Sequence, residues 1–424
     1  MFTAIIISVF IIGYAAIALE HPLRLNKAAS ALITGVLCWT VYMLHENSGD
    51  KVSDELLHHL GGIASILFFL LGAMTVVELI DSHNGFDIIT EKINTTNKQK
   101  LLLLITIITF ILSALLDNLT TAIVMTSLCS KLLPEKEDRL WFAGIIVIAA
   151  NAGGAWSPLG DVTTTMLWIG GQITALNIMK ELILPSIAVC IVPALIISQK
   201  FRGKKILPIK LPTRTGKEKT EGKIILFAGI GFLIFVPVFK TVTHLPPFMG
   251  MLLALGLMWV ITTIIHKGKE SGLAQKYTVT KALQKVDTPS ILFFLGILLA
   301  VSAMESFGIL KDVAAGLNKT FRNDYLIGSA LGLLSAIVDN VPLVAASQGM
   351  YDLNTYPTDH HFWVFLALTT GTGGSAIIIG SAAGVAVMGI EKIDFMWYLK
   401  KISWLALIGF IAGIAVFLLQ LQIG

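Results

Sequence analysis

Apolar segments of roughly membrane-spanning length recur along the whole sequence of 424 residues, separated by short polar stretches. A helix needs about 20 mostly apolar residues to cross a bilayer. Charged residues make up only 14% of the chain, whereas soluble proteins contain about 25%. The sequence therefore predicts an all-α polytopic membrane protein. The segments lie at about 2–19, 28–44, 60–80, 101–133, 141–170, 182–199, 224–239, 247–265, 290–306, 326–349, 362–390 and 402–422.

Two segments of the first half do not fit simple spans. Segment 101–133 is too long for one helix and has Asp117 and Asn118 at its centre. We expect a re-entrant hairpin with its tip at these two residues, because irregular backbone at membrane depth must be buried in protein or face a water-filled cavity. Segment 141–170 contains a stretch rich in Gly, with one Pro, at 151–161, which predicts a discontinuous transmembrane helix.

The same features recur in the second half of the chain. The letters SILFFL occur twice, at 65–70 and at 290–295, and the tip sequence at 113–118 has a counterpart at 335–340. The paired glycines 153–154 likewise recur at 373–374. The three matches keep the same order at nearly the same offset (290 − 65 = 225, 335 − 113 = 222, 373 − 153 = 220), which indicates an internal duplication.

Counting the segments predicts how the two copies lie in the membrane. Each copy has an odd number of spans besides its hairpin, so the second must enter the membrane upside down, giving two inverted repeats with about 10 spans and 2 hairpins. Basic stretches near 20–27 and at 200–223 predict cytoplasmic loops, which explains their charge better than a nucleic-acid surface. The acidic stretch 45–59 predicts a loop on the opposite side. The repeats then occupy 1–199 and 224–424, joined by the basic linker.

Three carboxylates lie at mid-depth in these segments: Asp117, Asp161 and Asp339. No Lys, Arg or His is expected at a comparable depth to neutralise them. A carboxylate inside a membrane protein is costly and usually marks a functional site, and burial disfavours its ionised form. Something else must therefore neutralise these groups, either a proton or a bound metal cation.

Oxygen-bearing side chains surround the aspartates at both hairpin tips and both helix breaks. Together they predict an oxygen-rich site that binds a hard cation or a proton in competition. Helix capping by the Asp-Asn pairs and hydroxyls bonded to their own helix are the structural alternatives. The candidate residues are Asp117, Asn118, Thr120, Thr121, Asn151, Ser157, Asp161, Thr163, Thr164, Asp339, Asn340, Thr372 and Ser375.

Two other functions use the same residues. An intramembrane aspartyl protease would pair two aspartates that share a proton, and the Pro158–Asp161 stretch is partly similar to its motif. Against it, the third aspartate would have no role. The other alternative is a carrier of arsenite or another anion on the same fold. None of these functions requires a cofactor.

Four stretches of the sequence, at 13–24, 117–121, 151–163 and 339–342, resemble the NhaD-type sodium/proton antiporters of the ion transporter superfamily. The resemblance implies export of Na⁺ and Li⁺ coupled to entry of H⁺ across a bacterial inner membrane. The resemblance further implies a homodimer in the lipid bilayer. From the residues themselves we expect Asp117 and Asp339 to be paired Na⁺ ligands, and Asp161 to be a Na⁺ ligand or the proton carrier. The carboxylate carriers of the superfamily have Ser-Asn-Thr at their tips, so the aspartates here disfavour an anionic substrate.

Overall fold

The computed structural model describes residues 1–46, 48–86, 88, 95–206, 216–267 and 277–423. Within these ranges the regular structure is helical, apart from one isolated β-bridge between Asn97 and Lys205, as predicted. The helices are α1 Phe2–Ala18, α2 Glu20–Leu23, α3 Lys27–Glu46, α4 Gly49–Ser82, α5 Lys98–Leu115, α6 Asn118–Leu132, α7 Lys136–Ala155, α8 Val162–Ile169, α9 Ala175–Lys200, α10 Gly216–Thr243, α11 Pro247–His266, α12 Val279–Lys285, α13 Thr288–Ser306, α14 Ile309–Phe321, α15 Asp324–Leu334, α16 Asn340–Met350, α17 His361–Gly373, α18 Ala382–Glu391, α19 Phe395–Lys401 and α20 Ser403–Ile423.

Eight helices in the described part of the chain are long and apolar enough to cross a membrane, namely α3, α4, α5, α9, α10, α11, α13 and α20. Shorter apolar helices, α1, α15 and α18, accompany them. These helices support a multi-pass membrane protein. The number of spans depends on where a bilayer lies, so the count of ten stays a prediction.

One loop prediction is wrong, and another falls partly outside the described residues. The acidic stretch 45–59 is mostly helix, because α4 begins at Gly49 and runs for 34 residues. At 1.5 Å per residue that is about 50 Å, longer than a hydrocarbon core of about 30 Å. The acidic stretch therefore continues a helix rather than forming a loop. The basic linker at 200–223 lies partly outside the described residues, since 207–215 are not among them.

Helix breaks occur where the sequence predicts them. Asp117 separates α5 from α6, and residues 156–161 separate α7 from α8. In the second half, residues 335–339 separate α15 from α16, and two short 3₁₀ turns at 374–376 and 378–380 separate α17 from α18. Whether α5–α6 and α15–α16 are re-entrant depends on their position in a membrane and stays a prediction.

The two halves repeat one set of close contacts between the tip segment and the broken helix. Gly153 lies against the Phe110 carbonyl, and Gly373 lies against that of Gly332. Ser113 Oγ donates to the Ala150 carbonyl, and Ser335 Oγ donates to the Thr370 carbonyl. Gly160 approaches the backbone of Ser113, as Gly380 approaches that of Ala336. The paired positions differ by 220 to 223 residues, so packing as well as sequence supports a duplication.

Helices from both halves pack together in two groups. In the first, α3 packs on α1 and α13, while α4 packs on α11 and α13. The α3–α13 contact is close, because a side chain on Gly296 would meet the backbone of Ala31. In the second, α7 contacts α5, α6, α9 and α17, and α9 packs on α20. The helix breaks lie in or beside the second group, since α15 packs on α17 and α18 packs on α6, although α16 also contacts α13 of the first group. The polar residues meet at these breaks.

Candidate functional site

Asp117 stands at the break between α5 and α6 and caps the N-terminus of α6. One carboxylate oxygen, Oδ1, accepts a hydrogen bond from the Thr120 backbone N–H at 2.8 Å, and Oδ2 accepts one from Thr120 Oγ1, also at 2.8 Å. The Asp117 backbone has φ +150° and ψ +161°. Glycine alone adopts that region readily, and strain of this kind costs about 1–3 kcal/mol and gathers at functional sites.

Asp161 stands at the second break and caps α8. Its side chain is buried, and Oδ1 accepts hydrogen bonds of 2.9 Å from both the backbone N–H and the hydroxyl of Thr163. Helix α7 ends at Ala155, and the chain is non-helical until α8 begins. The unwound segment places this carboxylate in the protein interior with neutral donors around it.

The residues that follow the two tip aspartates both reach Asp161. Asn118 Nδ2 donates to Asp161 Oδ2 at 2.8 Å. Asn340 Nδ2 lies 3.5 and 3.4 Å from the two carboxylate oxygens. The N-termini of α6, α8 and α16 therefore converge on one carboxylate, and each helix end contributes partial positive charge.

Asn151 connects this cluster to the second broken helix. Its Oδ1 accepts from Asn118 Nδ2 at 3.1 Å, and its Nδ2 donates to Ser375 Oγ at 2.9 Å and to Ser381 Oγ at 3.0 Å. All four side chains are buried. The network thus joins both tips and both broken helices around Asp161.

Four predicted residues are bonded elsewhere or lie apart from this network. The hydroxyls of Ser157, Thr164 and Thr372 donate to backbone carbonyls, those of Ala114, Ser157 and Leu368 respectively. Of these three bonds, that of Thr372 lies within its own helix, the structural alternative considered above, while Thr164 Oγ1 also donates to the Asp161 carbonyl at 2.9 Å. Thr121 is buried, and its hydroxyl has no hydrogen-bond partner among the described residues.

Asp339 corrects one expectation. It caps α16, with Oδ1 accepting from the Val341 N–H at 3.3 Å, and the Lys27 ammonium lies 3.9 Å from Oδ2. The prediction that no basic side chain lies at a comparable depth is therefore wrong. Lys27 was assigned to a loop, but it is the first residue of α3, and its long apolar stem lets the ammonium reach inward.

Two cavities approach the tips. A cavity of about 360 Å³, the vestibule, is lined by acidic and basic side chains and reaches Thr120, the partner of Asp117; its lining includes Glu20, Lys27, Glu78, Thr120, Lys285 and Asp287. A smaller recess of about 60 Å³ is lined by Tyr14, Lys27, Phe293 and Asp339. Thr120 lines the vestibule, whereas Asp161 is buried and is not part of the vestibule's lining.

The described residues contain no group of three or more His, Cys, Asp or Glu side chains placed to hold a metal ion. A cation here would therefore depend on amide, hydroxyl and backbone oxygens in addition to carboxylate. Such neutral oxygens are abundant around Asp161. Sequence reasoning missed two contributors: Lys27 and Tyr398, whose hydroxyl donates to the Ser375 carbonyl at 2.9 Å.

Comparison with known proteins places the chain among transporters. A family model described as citrate transporter matches residues 8–371. Sodium/proton antiporter 2 of Arabidopsis thaliana is 45% identical over 412 residues, which cover 96% of this chain and 97% of that protein. Sodium/proton antiporter 1 of the same plant is 49% identical over 411 residues, 96% of this chain and 71% of that protein.

A bacterial relative extends the comparison. The Na(+)/H(+) antiporter NhaD of Vibrio cholerae is 31% identical over 451 residues, covering 97% of this chain and 90% of that protein. These relatives are named antiporters rather than enzymes, which confirms the prediction of a transporter. The chain belongs to the NhaD-type sodium/proton antiporters, within the family described as citrate transporter.

Proposed function

We propose that the protein exchanges Na⁺, and also Li⁺, for H⁺ across a membrane. The observation that carries this proposal is the buried Asp161 carboxylate, whose hydrogen-bond donors are all neutral. An ionised carboxylate at this depth needs a counter-charge. The relatives are named sodium/proton antiporters, so we take Na⁺ and H⁺ as the two ions that compete for the Asp161 carboxylate.

Rotatable amides can adapt the site to either ion. Asn118 and Asn340 present their N–H groups to Asp161 in this structure, and rotating each amide would present its oxygen instead. A hard cation such as Na⁺ prefers oxygen ligands. We therefore propose that Na⁺ binds Asp161 with amide oxygens turned inward, and that a proton on Asp161 displaces it.

Asp117 is the proposed entry ligand. Its carboxylate accepts a hydrogen bond from Thr120, which lines the vestibule, whereas Asp161 lies deeper. The vestibule opens beside the start of α3 and the end of α4, next to the basic stretches predicted to be cytoplasmic. This arrangement supports a conformation open to the cytoplasm, in which an ion passes Asp117 before reaching Asp161.

The duplicated contacts support the proposed architecture of two inverted repeats at 1–199 and 224–424 with a basic linker at 200–223. In that arrangement the α5–α6 and α15–α16 pairs are re-entrant hairpins that enter from opposite sides. The homodimer and the bacterial inner membrane remain predictions from family resemblance, since the relatives come from a plant as well as from bacteria.

Transport of citrate, arsenite or another anion is the alternative on this fold. An anion would approach Asp117 and Asp161, and like charges repel strongly where water is scarce. The same aspartates attract a cation. The geometry therefore favours cation exchange over anion transport.

Reconstituted protein tests the proposal. Proteoliposomes with an imposed pH gradient should show proton movement on addition of Na⁺ or Li⁺, and Asp117→Asn should abolish it. Ser157→Ala is the matched control, because that hydroxyl is bonded to the Ala114 carbonyl, and it should retain exchange. Full exchange by Asp117→Asn, or citrate or arsenite uptake in place of cation exchange, contradicts the proposal.

A further inference from the structure

Asp339 differs from Asp117 in having a cationic partner. The Lys27 ammonium lies 3.9 Å from Asp339 Oδ2, and the two side chains are 24% and 18% exposed. Among the described residues, Asp117 forms no ion pair and is bonded to Thr120 instead. The second tip therefore has its own counter-charge within the chain.

Lys27 also contacts an aromatic ring. Its ammonium lies 4.6 Å from the centre of the Phe293 ring, within the range of a cation–π contact. Phe293 is buried and belongs to the repeated SILFFL sequence. The equivalent position of the first repeat is Phe68 (293 − 225 = 68), which is 50% exposed and forms no cation–π contact with a described residue. The binding position for an ammonium is thus present in one half only.

A tethered ammonium has an advantage over a free ion at the same carboxylate. Its attachment to the chain keeps its effective concentration high, and a second cation beside it would meet like-charge repulsion. Lys27 lines both the recess at Asp339 and the vestibule that leads to Asp117. Among the described residues Asp117 forms no ion pair, so a Na⁺ ion that enters the vestibule finds an unpaired carboxylate at the first tip.

We propose that Lys27 is a tethered counterion that occupies the Asp339 tip in place of a transported cation, so that each chain binds one cation, at Asp117 and Asp161. Lys27 acts through Asp339 and is a positioning residue. This inference rests on the proposed function and deepens it, because it assigns the two tips different roles. It replaces the expectation that Asp339 is itself a Na⁺ ligand.

The test compares wild type with Lys27→Met, Asp339→Asn, their double variant and Lys27→Arg, by the Na⁺ dependence of exchange in proteoliposomes at alkaline pH. Wild type and Lys27→Arg should give a Hill coefficient close to one. Lys27→Met should lose about tenfold in rate at low Na⁺, the size expected for coupled charges in contact, and its Hill coefficient should rise towards two. The double variant should restore both values.

Binding of ²²Na⁺ to the purified protein separates this inference from the proposed function. Wild type should bind one Na⁺ per chain and Lys27→Met two, whether or not exchange is observed. Exchange that is absent from wild type overturns the proposed function, while the binding ratio still tests Lys27. Three results would overturn the inference. The first is an unchanged Na⁺ dependence of exchange in Lys27→Met, and the second is a double variant whose rate and Hill coefficient equal those of Lys27→Met. The third is a Lys27→Met protein with lower thermal stability and a Hill coefficient still at one.

Discussion

The two halves of the site share a scaffold and differ in chemistry. Both have Asp followed by Asn at the tip and close glycine contacts at the helix break. At the break itself, however, Asp161 of the first half corresponds to Ser381 of the second (381 − 161 = 220), and Asn151 corresponds to Gly371 (371 − 151 = 220). The two halves thus share this geometry, whereas a buried carboxylate occurs at only one of the two breaks.

The two tips also differ in backbone conformation. Asp117 has φ +150°, while Asp339 has φ −45°. Strain of about 1–3 kcal/mol therefore falls on the first tip alone. Strain, the buried carboxylate and access from the vestibule all coincide in the first half, which is the half in which we propose that the cation binds.

The largest effect is expected from the helix breaks, where Asp161 in the first half corresponds to Ser381 in the second. Asp161→Asn removes the only charge at the centre of the network and should abolish Na⁺-driven proton movement in proteoliposomes. Ser381→Ala, at the equivalent position, removes one acceptor of an Asn151 bond and should leave exchange measurable. An equal loss of Na⁺-driven proton movement in both variants would show that the two helix breaks do not differ in function.

A smaller effect is expected at the tip asparagines. Asn118 donates to Asp161 at 2.8 Å, while Asn340 lies 3.4 Å away at its nearest. Asn118→Ala removes the amide oxygen that we propose turns towards Na⁺, so it should raise the apparent KM for Na⁺ by about tenfold or more, the loss typical of groups that support a metal site. Asn340→Ala should raise it less. The reverse order would place the stronger ligand in the second half.

The smallest difference between the halves is expected in the scaffold. A side chain at Gly160 would meet the Ser113 carbonyl at 2.5 Å, and one at Gly380 would meet the Ala336 carbonyl at 2.5 Å. Overpacking typically costs about 1–3 kcal/mol, so Gly160→Ala and Gly380→Ala should lower the Tm of the purified protein by similar amounts. A large inequality would show that the two breaks are not packed alike.

The sequence predicts the helices and their breaks well, because span length, Gly and Pro content and capping by Asp act locally. The tip at Asp117 and the break at 156–161 follow from such local signals. The acidic stretch at 45–59 is predicted as a loop because it lies between two apolar segments, yet from Gly49 onward its residues belong to α4.

The site is only partly predictable. The meeting of Asn118, Asn151 and Asp161 could be expected from their polar character at mid-depth. The Lys27–Asp339 pair joins residues more than 300 positions apart, and only the fold brings them together. The same holds for the hydroxyls of Ser157 and Thr372, since a sequence does not reveal whether a threonine or serine is bonded to a nearby carbonyl.

Competition between Na⁺ and H⁺ for Asp161 is most directly measured by the apparent KM for Na⁺ in proteoliposomes as a function of pH. Because the ligand must lose its proton before it binds a metal ion, lowering the pH should raise the KM by about tenfold per pH unit when one proton competes with one Na⁺. The maximal rate at saturating Na⁺ should stay nearly constant over the same pH values at which the KM rises. A KM that does not change with pH, together with a maximal rate that falls, would contradict binding of both ions at one carboxylate.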